Sequence, residues 1–116
     1  MKQDPFALAL LFDYYGDLLT EKQRTCFDLY YNQDLSLAEI AEEAGISRQG
    51  VHDSLSRAEA ALRMMEEKIG CVGRDLRVHK AAEEIIGLAK ALEGSADENV
   101  CRLGLKIRTL AEEIKE

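Results

Sequence analysis

Residues 35–57 read LSLAEIAEEAGISRQGVHDSLSR, and this stretch predicts two helices joined by a tight turn. Ser36 precedes an apolar-periodic run and has Glu39 three residues later, which is the pattern of a capping box at a helix start. Gly45 follows that run, at a position where the chain often needs a positive φ that only glycine adopts cheaply. Ser47 can then cap a second helix. A short helix, a glycine turn and a longer second helix make up a helix-turn-helix.

The apolar residues of both helices recur at helical spacing and are expected to be buried together. They are Leu37, Ile40, Ala41 and Ala44 in the first helix and Val51, Leu55 and Ala58 in the second. Ile46, in the turn, can fold back onto the first stripe. The polar side chains on the other side of the second helix then point outward. They form the candidate DNA-binding set of Ser47, Arg48, Gln49, His52, Ser56 and Arg57.

These side-chain types are able to read nucleic acid. Arginine can pair with guanine, glutamine with adenine, and histidine or serine can reach bases or phosphates. Ser47 and Arg48 would lie near phosphates, because the free N–H groups of a helix start attract anions. An ordinary solvated helix face is the alternative interpretation, since helix pairs of this length and composition also occur in proteins that never contact nucleic acid.

The charge of the chain is acidic, unlike that of a typical isolated DNA-binding module. Its 116 residues carry 15 Lys+Arg and 22 Asp+Glu, for a formal charge of −7 and a sequence pI near 4.9. Residues 20–69 hold six basic and ten acidic side chains, whereas neutralising phosphates requires basic ones. Asp53 falls on the presumed reading face, where phosphates would repel it. An acidic surface suits a basic protein partner, so a protein-binding function stays open.

Length and composition indicate a small globular protein. With 47% hydrophobic residues among 116, the chain can bury the core of one domain, or of a small domain with an appended dimerisation element. It lacks an apolar run of about 18 residues and the basic-then-apolar order of a signal peptide, so we expect a cytoplasmic protein with no membrane insertion. The three cysteines are widely spaced without a C-x-x-C pair, which indicates free thiols rather than a disulfide framework or a zinc site.

Two further helices are predicted before the helix-turn-helix. Asp4 and Pro5 have the pattern of a cap and a first helical residue, and the run FALALLFDYY that follows reaches Gly16 and is apolar on more than one side. We expect this helix to pack against more than one neighbour, one of which could be a second subunit. Thr20 and Gln23 form a second capping box, which begins the supporting helix EKQRTCFDLYYNQ.

Apolar residues at alternating spacings of three and four continue through the rest of the chain. The series are Val51, Leu55, Ala58, Leu62, Met65 and Ile69, then Val78, Ala82, Ile85, Ala89 and Leu92, then Val100, Leu103, Ile107, Leu110 and Ile114. This repeat predicts that the second helix of the motif extends as a coiled-coil-like arm, followed by two antiparallel helices. The seams could close on one another or on a second copy. Because they are narrow, a twofold homodimer is favoured over a self-contained tail.

No segment shows the alternation of a β-strand, so the predicted fold class is all-α. It comprises a helix-turn-helix with an N-terminal apolar helix and C-terminal antiparallel coiled-coil-like helices. The expected domains are a helix-turn-helix domain at residues 1–69 and a helical dimerisation tail at residues 70–116.

No pattern of an enzyme or a metal site is present. His79 and Glu83 have an i, i+4 spacing that can share a metal, but a third ligand is not evident and a solvated pair is expected. His52 and Asp53 are sequence neighbours that point about 100° apart on a helix, so neither orients the other. Phosphate-cradling glycine loops and nucleophile motifs are lacking. We therefore predict a non-enzyme with no cofactor, no metal and no catalytic residue.

The segments LFDYYGDLLTEKQ and LYYNQDLSLAEIAEEAGISRQGVHDSLSRAE, taken with the helical tail, resemble the YlxM family of helix-turn-helix proteins. The likeness covers essentially the whole chain. The family's helix-turn-helix is in turn similar to the promoter-reading part of bacterial sigma factors. The family is encoded beside the signal recognition particle GTPase and its receptor, so the resemblance implies a regulatory or accessory part in that targeting pathway.

Two functions stay open on these grounds. In the first, a dimer presents its second helices to half-sites about 34 Å apart on double-stranded DNA, as a transcriptional regulator. In the second, the same fold is an adaptor that docks on signal recognition particle components, either the GTPases or their RNA, without sequence-specific DNA binding.

Overall fold

The computed structural model describes Lys2 and residues 4–116, and this part of the chain is helical without a β-strand. Its helices are α1 (Pro5–Tyr15), α2 (Glu21–Phe27), α3 (Leu37–Ala44), α4 (Arg48–Ile69), α5 (Cys71–Glu93) and α6 (Glu98–Lys115). A 3-10 turn at Gly16–Leu18 follows α1, and α2 continues as a π-helical turn at Asp28–Asn32. The predicted all-α class is confirmed.

The chain forms two compact units, one ending at Val72 and the other running from Gly73 to Glu116. This division falls a few residues beyond Ile69, the last residue of the expected first domain. The side chain of Val72 is the reason, because it is buried in the core of the first unit.

Helix α4 is the centre of the first unit, since α1, α2 and α3 all pack against it. The buried core residues are Leu8, Tyr15, Leu19, Cys26, Phe27, Leu29, Ile40, Ala41, Val51, Leu55, Ala58, Leu62 and Val72. The predicted coiled-coil-like arm is therefore wrong. Burial of apolar surface drives packing, and α4 buries its stripe as far as Leu62 within its own unit.

Stacked aromatic rings connect α1 with the supporting helix. Phe27 is fully buried and stacks on Phe12, with ring centroids 4.6 Å apart, and on Tyr31, with centroids 4.4 Å apart. The Tyr31 hydroxyl donates to the carboxylate of Glu59 on α4, which gives the polar end of this ring a partner. The ring stack thus helps to fix α1 and α2 against α4.

Both predicted capping boxes are present. Ser36 Oγ accepts from Glu39 N at 3.1 Å while Glu39 Oε1 accepts from Ser36 N at 3.0 Å, and Thr20 and Gln23 pair in the same way. The hydrogen bond from the Ser36 backbone N–H, with that of its side chain, holds the pKa of Glu39 below its ordinary value. The starts of α2 and α3 are therefore encoded locally.

The turn between α3 and α4 also follows the prediction. Gly45 has a φ of 71°, and the following Ile46 donates its N–H to Ala41 O at 3.1 Å and packs against the core. Ser47 Oγ accepts from Gly50 N at 2.9 Å and caps α4.

Two expectations at helix ends are wrong. Ala44 is exposed rather than buried, because an open cleft separates this last residue of α3 from α2. Asp4 makes no side-chain cap to α1, because its backbone is left-handed, with a φ of 43°, and does not bring the carboxylate to the first turn. Pro5 is the first residue of α1, as expected.

In the second unit, α5 and α6 form an antiparallel hairpin that closes on very small residues. Those buried along the seam are Ala82, Ala89, Gly104 and Ala111. A Cβ added to Gly104 would lie 2.8 Å from Ala89 O and 2.9 Å from Glu93 N, so the backbones of the two helices are in direct contact. Within each helix the two small residues lie about two turns apart, so they recur on one face.

Hydrogen bonds to Glu93, the last residue of α5, join the two helices of the hairpin. Arg108 Nε and Nη2 donate to the two carboxylate oxygens of Glu93 at 2.7 and 3.1 Å, and Cys101 Sγ donates to Glu93 O at 3.2 Å. The hydrogen bonds from Arg108 hold the pKa of Glu93 below its ordinary value, and the same bonds raise the pKa of Arg108. Such a two-pronged pair sets the register of the two helices.

The apolar seam predicted for α6 does not pack against α5 within the chain, and its closure on a second copy, the favoured alternative, stays a prediction. The side chains left exposed are Val78, Ile85 and Leu92 on α5 and Leu103, Ile107, Leu110 and Ile114 on α6. Helix α6 turns Gly104 and Ala111 toward α5 instead, because backbones this close leave no volume for large side chains between them. Large apolar groups are consequently exposed on the second unit.

Candidate nucleic-acid interface

The predicted polar side chains of α4 are all exposed in the first unit. They are Ser47, Arg48, Gln49, His52, Ser56 and Arg57. On the opposite side of the same turns, Val51 and Leu55 are 0% and 5% exposed and anchor the helix in the core. The start of α4 therefore presents a polar face, here called the α4 face, on a rigid support. This is the geometry that a recognition helix needs.

Asp53 organises the middle of the α4 face. Gln49 Nε2 donates to Asp53 Oδ1 at 3.0 Å, and His52 Nδ1 lies 3.9 Å from the same oxygen. The second distance is too long for a hydrogen bond, so Asp53 orients the amide of Gln49 but does not fix His52. The sequence interpretation missed this pair, although its i, i+4 spacing was a readable signal.

The basic side chains of the α4 face are available to an external anion. Arg48 and Arg57 are exposed, and neither forms an ion pair within the part of the chain that the structure describes. Lys22, at the start of α2, is also exposed and forms no ion pair with the described residues. An arginine without a carboxylate partner keeps its planar set of N–H donors free for guanine or phosphate.

A polar cavity of about 340 Å³ lies beside the α4 face, between the start of α2 and α4. Its lining residues are Thr20, Lys22, Gln23, Gly50, Asp53, Ser54 and Arg57. Ser54 is 6% exposed, and its hydroxyl has no hydrogen-bond partner among the described residues. The sequence interpretation missed Ser54, because this residue lies between the apolar and polar stripes of α4. Only the packing of α2 reveals the cavity.

Metal-binding and membrane-spanning features are not found in the described residues. In Lys2 and residues 4–116, no three histidine, cysteine, aspartate or glutamate side chains are grouped as a metal site would require. His79 Nε2 lies 3.3 Å from Glu83 Oε1, and both side chains are more than half exposed, as expected of a solvated pair. Within the same residues, every helix is too short or too polar to cross a bilayer.

A glycine turn between α3 and α4, with α4 buried on one side and polar on the other, defines the class of helix-turn-helix proteins. Residues 2–96 match the family described as "Putative helix-turn-helix protein, YlxM / p13 like". The chain belongs to this family, and the resemblance seen in the sequence is confirmed.

Several bacterial relatives are similar to this chain over most of their length. A UPF0122 protein of Thermoanaerobacter sp. (strain X514) is 42% identical over 117 residues, which cover 100% of this chain and 97% of the relative. A UPF0122 protein of Desulforamulus reducens is 49% identical over 92 residues, covering 78% of this chain and 79% of the relative. One from Acetivibrio thermocellus is 47% identical over 91 residues, covering 78% of each.

Proposed function

We propose that this protein is a cytoplasmic, homodimeric DNA-binding regulator that reads duplex DNA with α4 and serves the signal recognition particle pathway. The observation that carries the proposal is the exposed α4 face, which follows directly on the glycine turn and is held from behind by Val51 and Leu55. A helix with its side chains is about 10–12 Å across, which matches a major groove about 12 Å wide.

The side chains of the α4 face suit distinct contacts along the groove. Arg48, in the first turn, would meet a guanine edge or a phosphate, and Ser47 a phosphate at the helix start. Gln49 and His52 would reach base edges from the middle of the face, with Asp53 holding the Gln49 amide in place. Ser56 and Arg57 lie a further turn along the helix, where the backbone of the duplex passes.

Dimerisation through the second unit would supply the second reading helix. Residues 73–116 carry eight basic and nine acidic side chains, whereas residues 1–72 carry seven basic and thirteen acidic ones. Two copies of the nearly neutral hairpin repel each other little, and its exposed leucines and isoleucines offer the apolar surface for a four-helix bundle. The twofold symmetry of such a dimer suits the symmetry of paired half-sites.

The link to protein targeting rests on the resemblance to a family encoded beside the signal recognition particle GTPase and its receptor. A regulator whose gene lies beside the genes of these two proteins would control how much of each protein is produced.

A second candidate function is an adaptor that binds the signal recognition particle GTPases or their RNA directly. The excess of acidic side chains in residues 1–72 favours it, because a basic protein surface would complement them. The adaptor would use the same fold without sequence-specific DNA binding.

One set of titrations tests both functions. The full-length protein is titrated into labelled mixed-sequence duplex DNA, signal recognition particle RNA and the purified GTPases, each at low and raised salt. The variant Arg48→Gln/Arg57→Gln is compared with Arg63→Gln/Lys68→Gln, which removes the same charge from the later turns of α4.

For the regulator, we expect salt-sensitive DNA binding that falls at least tenfold in the first variant and far less in the second, since base contacts are each worth about 1–3 kcal/mol. DNA binding that is absent at low salt would refute it. For the adaptor, the expected result is binding to the GTPases or RNA with a change in GTP hydrolysis. No effect on either would refute that function.

A further inference from the structure

The cavity between α2 and α4 contains a buried polar group that the fold leaves unsatisfied. Ser54 Oγ is buried in the wall of this cavity and has no hydrogen-bond partner in the described residues. A buried hydroxyl without a partner costs free energy, so such groups in native proteins call for an explanation. A serine hydroxyl changes its rotamer at little cost, and from this wall it can turn toward a ligand in the cavity.

The charges around the cavity favour an anion. Lys22 reaches it from α2 and Arg57 from α4, and neither has an ion pair in the described residues. The carboxylate of Asp53 also lines it, but its Oδ1 already accepts from Gln49 at 3.0 Å. Two cations and a hydroxyl donor therefore face one carboxylate, so the lining residues Lys22, Arg57 and Asp53 together leave one net positive charge.

The position of the cavity on α4 identifies the kind of anion. Its lining residues Gly50, Ser54 and Arg57 fall on one flank of the helix at i, i+4 and i+7. Asp53, which also lines the cavity, accepts a hydrogen bond from Gln49 of the α4 face. A helix that fills the major groove has a sugar-phosphate backbone along each flank. A cavity on the flank of the reading helix therefore lies where a backbone phosphate passes.

We infer that this cavity is a phosphate seat, in which Lys22, Arg57 and the Ser54 hydroxyl hold one backbone phosphate of the bound duplex. This inference rests on the proposed function and extends it, because it assigns a contact to α2 and to a buried residue of α4. The seat fixes the depth and register of α4 in the groove but reads no base.

Three single variants of the full-length protein test the seat. Ser54→Ala removes the hydroxyl, Lys22→Gln removes a charge from the seat, and Lys68→Gln removes the same charge from the last turn of α4 as the matched control. Affinity for mixed-sequence duplex DNA is measured over a salt series. In parallel, inorganic phosphate is titrated while the amide resonances of Gly50 and Ser54 are followed by NMR.

We expect Lys22→Gln to flatten the dependence of log K on log salt by up to about 0.9, the value for one phosphate, since Arg57 still faces the same phosphate, and Lys68→Gln to leave it unchanged. Ser54→Ala should weaken DNA binding about tenfold with the salt dependence unchanged, because it removes a neutral donor to a charged group. Its thermal stability should not fall, since the lost hydroxyl had no partner. Phosphate should shift both resonances in the wild type but not in Lys22→Gln.

The remaining outcomes separate the seat from the proposed function. Wild-type protein that binds no DNA but shows the phosphate shifts would refute the regulator and leave a seat for a free phosphate compound. Wild-type protein that binds DNA, with Lys22→Gln equal to Lys68→Gln and Ser54→Ala unchanged, would overturn the seat and leave the regulator intact. Absence of both DNA binding and phosphate shifts would overturn both.

Discussion

The Tyr15 hydroxyl donates to Glu66 Oε1 at 2.6 Å and ties the end of α1 to the last turns of α4. The two side chains also serve the start of α5, because Cys71 N donates to Tyr15 Oη at 3.1 Å and Val72 N donates to Glu66 Oε1 at 3.0 Å. Gly70 alone separates α4 from α5, with a φ of 71°. The first N–H groups of α5 are therefore capped by residues far away in sequence rather than by a local cap.

Replacing Tyr15 with phenylalanine tests this long-range cap. Tyr15→Phe should destabilise the protein by about 1–2 kcal/mol, because it leaves the Cys71 N–H and one lone pair of Glu66 without their partner. The measurement is chemical denaturation, with amide exchange at Cys71 as the local readout. Faster exchange there with unchanged exchange in α3 is expected. Equal stability of variant and wild type would contradict the cap.

The raised pKa of Tyr15 predicts that the protein loses stability at alkaline pH. Burial, followed by the hydrogen bond to Glu66, raises the pKa of Tyr15 to about 12 from an ordinary 10.0. A raised pKa in the folded state means that the stabilisation is complete below pH 10 and is lost as the pH rises toward 12. Tyr15 should accordingly ionise late in an ultraviolet titration, and its late contribution should be absent from Tyr15→Phe.

The hairpin of the second unit depends on the missing side chain at Gly104. A Cβ there would lie 2.8 Å from Ala89 O and 2.9 Å from Leu92 Cβ, so Gly104→Ala must push the helices apart. Overpacking of this kind costs about 1–3 kcal/mol and exceeds the gain in helix propensity of about 1 kcal/mol. We expect faster amide exchange on the facing sides of α5 and α6.

Gly87 provides the matched control for that substitution. It lies inside α5 with open space around the position of a Cβ. Gly87→Ala should stabilise the helix by up to about 1 kcal/mol, since alanine loses less backbone freedom than glycine. If the two alanine variants shift the melting temperature in the same direction, close packing at Gly104 is not what closes the hairpin.

Protonation of Glu93 at acidic pH should lower the stability of the hairpin. Its folded-state pKa is lowered by Arg108, so the stabilisation is complete above the ordinary glutamate pKa and is lost as the pH falls through the folded value. Arg108→Gln should destabilise the hairpin more at pH 7 than at pH 3, because protonation of Glu93 weakens the ion pair of the wild type as the pH falls. Denaturation at the two pH values checks this, with Glu112→Gln as the control for the outer partner of Arg108.

The oligomeric state tests the apolar surface of α6. Leu103 and Leu110 are 59% and 52% exposed on one face of this helix. Leu103→Gln/Leu110→Gln should convert a dimer to a monomer with unchanged helix content, because the two side chains take no part in closing the hairpin. Leu18→Gln, at a residue 62% exposed in the first unit, is the control and should remain dimeric. Sedimentation equilibrium distinguishes these results, and a monomeric wild type would contradict the proposed dimer.

The helix-turn-helix was predictable because its signals are local. Ser36, Gly45 and Ser47 act on backbone groups within a few residues of themselves, and their caps and turn occur as the sequence indicates. The hairpin seam was not predictable in the same way. Periodicity shows which residues share a face. On α6 the leucines and isoleucines of a neighbouring face gave the stronger apolar repeat, so Gly104 and Ala111 were not predicted to form the contact with α5.

The sequence by itself determined the all-helical class, the starts of α2, α3 and α4, and the polar side of α4, since each depends on spacing within one helix. Tertiary structure alone decided that α4 lies in the core of its unit instead of extending as an arm, and that α6 meets α5 through its smallest residues. It also decided that Tyr15 caps α5, and that Ser54 and Lys22 line one cavity. The physical reason is that these contacts join residues distant in the chain. Periodicity shows which residues share a helix face, but side-chain volume and burial determine which face packs against a neighbour.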